Sequence, residues 1–162
     1  MRLMTRQTVR LMLGSVLLAW VAATVPAEAR RKAQQPLPPP FEYAGGTEAV
    51  PPSCAGNLEV SSDALIFKCP QTSLSMPFAA ITLMQYRSDV SYRVSKLTVH
   101  WKAFPPKQGG NKNRFFTIVY THPAATHVII LQVAPQSMRP YLAEIELKSG
   151  KRVEVEGYEY YQ

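Results

Sequence analysis

Residues 115–150 read FFTIVYTHPAATHVIILQVAPQSMRPYLAEIELKSG, and the hydrophobic period changes inside them. Up to Val133 the apolar residues come in two runs, 115–120 and 128–133, separated by the turn residues Pro123-Ala124-Ala125-Thr126. Short runs of β-branched and aromatic residues bounded by a turn read as two antiparallel strands. From Met138 the spacing becomes helical. Met138, Tyr141, Leu142 and Ile145 fall at i, i+3, i+4 and i+7, one stripe of an amphipathic helix. Ser137 stands where a cap is needed, Pro140 is tolerable only in a first turn, and Gly150 supplies a left-handed stop. Glu144, Glu146 and Lys148 take the outer positions. Strands followed by a single terminal helix predict an α+β domain whose helix covers an open part of the sheet.

Upstream the period is mostly two. Leu97, Val99 and Trp101 alternate with Thr98, His100 and Lys102 as in a half-buried strand, and residues 104–113, with two prolines and Gly109-Gly110, form a loop. Met76-Pro77-Phe78 and residues 81–86 are two more apolar runs joined by Ala79-Ala80; Pro77 belongs at an edge or a strand end, because it cannot donate to a ladder. Leu58 and Val60, then Leu65 and Phe67, flank Ser61-Ser62-Asp63 as a hairpin. If Val60 pairs with Asp63, Cys54 faces Cys69; if Val60 pairs with Leu65, the cysteines are diagonal. Both registers keep the apolar residues on one face, so periodicity does not choose. Six or seven short antiparallel strands follow, a small bent sheet or partly open barrel.

The N-terminus has the secretory order: Arg2, Arg6 and Arg10, then an uncharged stretch over 11–27, then Pro26 and the small-residue site Ala27-Glu28-Ala29. Cleavage after Ala29 is expected; an uncleaved N-terminal membrane anchor over 11–27 is the rival, at the short edge of what spans a bilayer. Either way the domain works outside the cytoplasm, in the periplasm or secreted. There Cys54 and Cys69, an even pair at short spacing, predict a disulfide; no C-x-x-C supports redox chemistry. Residues 30–53, rich in Pro, Ala and Gln with Leu37-Pro38-Pro39-Pro40 and Gly45-Gly46, read as an extended tether. The folded domain is expected over 54–156, with an acidic-aromatic tail at 157–162. Loss of residues 1–29 removes three arginines and one glutamate from 18 basic and 11 acidic side chains, leaving a net charge of +5. That favours anionic partners modestly. An exported chain without a basic helix or basic-aromatic repeat is not expected to bind nucleic acid.

Gly56-Asn57-Leu58-Glu59-Val60, Leu65-Ile66-Phe67, Met76-Pro77-Phe78-Ala79-Ala80-Ile81, Phe115-Phe116-Thr117-Ile118-Val119-Tyr120, Val128-Ile129-Ile130-Leu131 and Leu142-Ala143-Glu144-Ile145-Glu146-Leu147-Lys148-Ser149-Gly150-Lys151-Arg152-Val153 come in a familiar order. Together, over about 56–155, they resemble bacterial pleckstrin-homology-like (PH- or GRAM-like) domains. The resemblance implies a small barrel closed by a helix, and ligands that are phosphoinositides, peptides or proteins. Its motifs are packing residues and speak for fold rather than function. The first hairpin loop, Ser61-Ser62-Asp63, is short and acidic where phosphoinositide-binding relatives are basic, so that site is not carried over.

The candidate binding residues lie elsewhere. Lys102, Lys107, Lys112 and Arg114, with the aromatic Phe104 and no acid among them, make residues 102–114 the first place for a protein partner or an anionic lipid surface to dock. His122 and His127 bracket a turn as weak metal candidates, with His100 on another strand, but a stable zinc site wants three or four ligands. No metal and no small-molecule cofactor is therefore expected. No Ser-His-Asp order, carboxylate pair or Gly-rich phosphate loop stands out, so an enzyme is not expected. The function that remains is a binding module, with an envelope scaffold or an enzyme accessory domain as rivals.

Overall fold

The structure, a computed structural model, describes residues 39–107 and 113–157. The expected signal peptide over 1–29, the tether up to residue 38, Lys112 and the tail beyond Gly157 lie outside the described residues. Eight strands are present among them: β1 Phe41–Gly46, β2 Ala55–Val60, β3 Ala64–Cys69, β4 Thr72–Pro77, β5 Ile81–Arg87, β6 Arg114–Thr121, β7 Thr126–Val133 and β8 Glu154–Val155. A 3-10 turn, Phe78–Ala80, links β4 to β5; a short helix α1, Tyr92–Ser95, follows β5; and α2, Pro135–Ser149, follows β7. The strands form one unclosed sheet in the order β4-β3-β2-β1-β7-β6-β5-β8.

That order and the chain's connectivity together force the sheet to curl. β4 and β5 stand six places apart, which in a flat sheet is about 29 Å at 4.8 Å per strand. Only the three residues Phe78–Ala80 join them, a reach of roughly 14 Å. The two limbs therefore fold towards each other and share one buried cluster: Leu58, Leu65, Phe67 and Met76 from one side, Met84, Tyr86, Phe116, Ile118 and Leu131 from the other. Pro77 ends edge strand β4, as its missing N–H requires. Helix α2 presses Met138 and Ile145 into the same cluster, and Tyr141 meets the ring of Phe41 edge-on at 5.0 Å.

β6 and β7 are buried on both faces, which is why 115–120 and 128–133 are continuous apolar runs instead of alternating ones. Phe115, Val119, Val128 and Ile130 face away from α2, and residues 90–101 cover them with Val90, Val94, Leu97, Val99 and Trp101. The strand expected at 97–102 is not one. Its alternation is real, with Leu97, Val99 and Trp101 turned inward, but among the described residues no strand pairs with residues 97–101. Period two reports which side is buried, and a covering segment shows it as well as a strand does.

The expected tether also ends too late. Residues 41–46 form β1, in the middle of the sheet between β2 and β7, with Phe41 and Tyr43 fully buried. The Pro-rich composition of 30–53, averaged over the segment, hid the alternation Phe41-Glu42-Tyr43. Gly45-Gly46, which reads as a loop, serves close packing. Gly46 N donates to Ala103 O at 2.9 Å while its own carbonyl accepts from Lys102 N; a Cβ there would lie 2.2 Å from Val128 O, and its φ is 150°. The pair lets the covering segment cross β1 at backbone distance.

The hairpin adopts the register Val60↔Leu65, with residues 61–64 as the connection, and the cysteines are bonded diagonally with Cα atoms 6.0 Å apart. Helix α2 begins three residues earlier than expected, with Ala134 and not Ser137 as its cap. Pro135 takes the first position, where its missing N–H costs nothing, and Ala134 O accepts from Ser137 N and Met138 N. Ser137 is thus inside the helix and does not cap it, and Pro140 sits in the interior on the exposed side. Gly150 closes the helix at φ 64°, as expected.

Two stability measurements follow. Phe41→Ala should cost about 3–5 kcal/mol in urea unfolding, the usual penalty for a fully buried phenylalanine, and an unchanged midpoint would return residues 41–46 to the tether. Reduction of Cys54–Cys69, which closes a short loop, should cost about 3 kcal/mol in the same assay.

Candidate functional site

The segment covering the outer face of β5–β7 builds the most site-like surface. Trp101 lies on the second core cluster and Phe104 stacks on it, ring centroids 5.9 Å apart and planes 25° from parallel. Phe104 is nevertheless 78 % exposed, and Tyr92 on α1 is 76 % exposed, with Lys96 Nζ 5.2 Å from its ring. Between Val90 and Ser95 on one side and Trp101, Phe104, Pro105 and Lys107 on the other is a cleft of about 250 Å³. The prolines stiffen one rim and the lysine charges it.

Of the expected binding residues, Lys102, Phe104 and Lys107 are together on this outer side, all exposed. Arg114 is not with them. It starts β6 on the α2 side of the sheet, its guanidinium 5.9 Å from the ring of Tyr86 and its Nη1 donating to Glu156 O at 3.2 Å. Strand parity explains the separation: Arg114, Phe116 and Ile118 share a face, and Phe115 takes the other. Sequence reasoning missed Trp101 and Val90 as floor and wall of the cleft; Trp101 was assigned to a strand, and its role depends on the crossing at Gly46.

Two glutamates of the C-terminal segment fix the covering segment in place. Glu154 accepts from Gln85 Nε2 at 2.6 Å and from Arg93 Nη2 with both oxygens at 2.9 Å; Gln85 Oε1 in turn accepts from Ser91 Oγ, which caps α1. Glu156 accepts from Ser88 N at 2.8 Å, from Ser88 Oγ and from Arg87 Nη2. These donors hold both carboxyls below their usual range, the Gln85 amide leading for Glu154 and the Ser88 hydroxyl for Glu156. β8 therefore adds a short parallel edge to β5, and Glu154 ties it to α1, whose Ser95 lines the cleft.

The two histidines are not brought face to face across the turn. β6–β7 register sets Tyr120, not His122, opposite His127, and the two rings stack at 5.0 Å. His127 Nε2 donates to His122 O at 2.8 Å, since a carbonyl only accepts. His127 Nδ1 is 2.6 Å from Glu48 Oε1. Both ring nitrogens are thus engaged within the chain. Glu48 also accepts from Tyr120 OH at 3.0 Å, and Tyr43 OH donates to Glu48 O at 3.1 Å. Burial, reinforced by the Glu48 charge, pushes Tyr43 up to about 12 and raises Tyr120 as well. The cluster pins residues 47–48 against the β6–β7 hairpin.

Among the described residues no group of three or more His, Cys, Asp or Glu is placed to hold a metal ion, and no helix is long and apolar enough to cross a membrane. The disulfide is a bond of oxidising compartments. No family model, curated protein or solved structure matches the chain.

Because Glu154 and Glu156 titrate low when folded, their stabilisation is complete above the unfolded glutamate pKa and is lost as pH falls through the folded values. Stability should decline from about pH 4.5 downward. Glu154→Gln and Glu156→Gln should each lower stability at pH 7 by less than about 1 kcal/mol, given their exposure, and flatten that acid limb in thermal melts. An acid limb unchanged in both variants would contradict the anchoring role.

Proposed function

We propose that this chain is an exported, non-catalytic binding module of the PH-like class. It engages a protein partner or an anionic membrane surface through the Trp101–Phe104 cleft. The observation that carries the reading is Phe104: a phenylalanine 78 % exposed, held in place by its stack on Trp101, beside a cleft edged by Lys107. Exposed aromatics held rigidly next to cations are surfaces for partners rather than for solvent. The curled sheet with one terminal helix supports the PH-like class, and the disulfide supports export. The side chains of Lys102 and Lys107 have no hydrogen-bond or ion-pair partner among the described residues, which leaves their charge for an anion. Arg114 does not belong to this surface, and Lys112 lies outside the described residues.

A photoreactive benzoylphenylalanine at position 104, introduced in cells, should give a discrete adduct that the same group at the exposed Leu147 does not. A protein adduct would assign a partner, and a lipid adduct the membrane surface. Flotation with anionic but not neutral vesicles, weakened by salt and by Phe104→Ala with Lys107→Ala, would make the lipid assignment independent. Adducts that are the same at 104 and 147 would contradict the reading.

A further inference from the structure

On the α2 side, remote from the aromatic cleft, a groove of about 730 Å³ runs between α2 and β8, within the volume range of small-molecule sites. One wall is the helical stripe Arg139, Leu142, Ala143 and Glu146, at i, i+3, i+4 and i+7; the other is the segment Arg152, Val153, Glu154 and Val155. The chain turns back at Gly150, and Val153 N donates to Glu146 Oε1 at 2.9 Å, so Arg152 stands beside the last turns of the helix. Arg139 stands two turns away, roughly 10 Å at 1.5 Å per residue. Between them stand Leu142, Ala143, Val153 and Val155, with the carboxylates of Glu146 and Glu154 in the same lining.

The charges of the groove are unevenly spent. Glu154 is taken up by Gln85 and Arg93, and Glu146 receives the Val153 N–H. The side chains of Arg139 and Arg152 make no hydrogen bond or ion pair with any described residue. Two uncommitted guanidiniums flanking a groove whose floor holds Leu142, Ala143 and Val155, and whose two acids already accept from Val153 N, Gln85 and Arg93, complement one kind of small molecule. We propose that this groove binds a linear dicarboxylate, with an apolar chain along Leu142, Ala143 and Val155 and one carboxylate on each arginine. Guanidinium is suited to both ends because it meets a carboxylate with two parallel N–H donors. The site is independent of the proposed function, and neither depends on the other.

The probe is sebacate, a ten-carbon dicarboxylate, titrated into the chain from residue 30 onward while the amide signals of Ala143, Val153 and Val155 are followed by NMR. Saturable shifts are expected at those amides. Decanoate, with one carboxylate, should bind about ten-fold more weakly, the loss of one charge-assisted contact, and decanediol should give no saturation. R139Q and R152Q should each bring sebacate down to the decanoate level. Neither side chain has a described partner, so both variants should retain the parent spectrum elsewhere, which separates lost binding from lost folding. Absence of saturable shifts with sebacate, equal binding of sebacate and decanoate, or sebacate binding undiminished in both variants would each overturn the proposal.

Discussion

The three-residue link between β4 and β5 constrains everything else in this fold. Strands at nearly opposite ends of the sheet order cannot be joined by Phe78–Ala80 unless the sheet rolls, and a rolled sheet needs a central strand that both limbs share. β1 is that strand. It pairs over five positions with β7, with a register shift between Tyr43 and Gly45, but over only two with β2, Phe41↔Gly56 and Glu42↔Ala55, so the ladder is longer towards β7 and brief where the sheet bends. Phe41 and Tyr43 fill the inside of the bend, and Tyr141 of α2 closes over Phe41. The disulfide at the end of β2 and β3 ties the second limb next to this fold line.

The outer side follows from the same strand. Without a side chain at Gly45 or Gly46, the segment from Trp101 to Pro105 lies directly on β1, and the bond from Gly46 N to Ala103 O sets its height. Trp101 then rests on the sheet and Phe104 is left on top of Trp101 with most of its ring in water. At the other end, Glu154 and Glu156 hold residues 85–93 and with them the wall that faces those rings. A cleft with both walls fixed in this way needs little ordering to receive a partner, which is where binding energy is otherwise lost.

Much of this was legible in the residues. The runs at 115–120 and 128–133, the stripe Met138, Tyr141, Leu142, Ile145, the stop at Gly150 and the placement of Pro77 all appear as read, because each depends on local sequence. What escaped depends on distant contact. β1 was hidden because six residues of strand sit in a Pro-rich stretch and end in two glycines whose purpose is a segment some sixty positions away. The segment 97–101 looked like a strand because a covering chain buries alternate residues too. For the site, Phe104 and Lys107 stood out by composition, whereas Arg114 was grouped with them by proximity in sequence although strand parity sends it to the other face. His127 looked like a ligand until Glu48, in the supposed tether, took its Nδ1. The resemblance to PH-like domains anticipated the rolled sheet and the closing helix, and said nothing of the cleft.

The central claim is that residues 41–46 form the shared strand on which both the core and the cleft are built. Amide hydrogen exchange of the chain from residue 30 onward tests it most directly, since protection requires the specific bonds described here. The account predicts that the amides of Tyr43 and Gly46, which donate to Cys54 O and Ala103 O, exchange as slowly as those of the β7 interior. Exchange of residues 41–46 at the rate of an unstructured peptide, with 128–131 still protected, would contradict it.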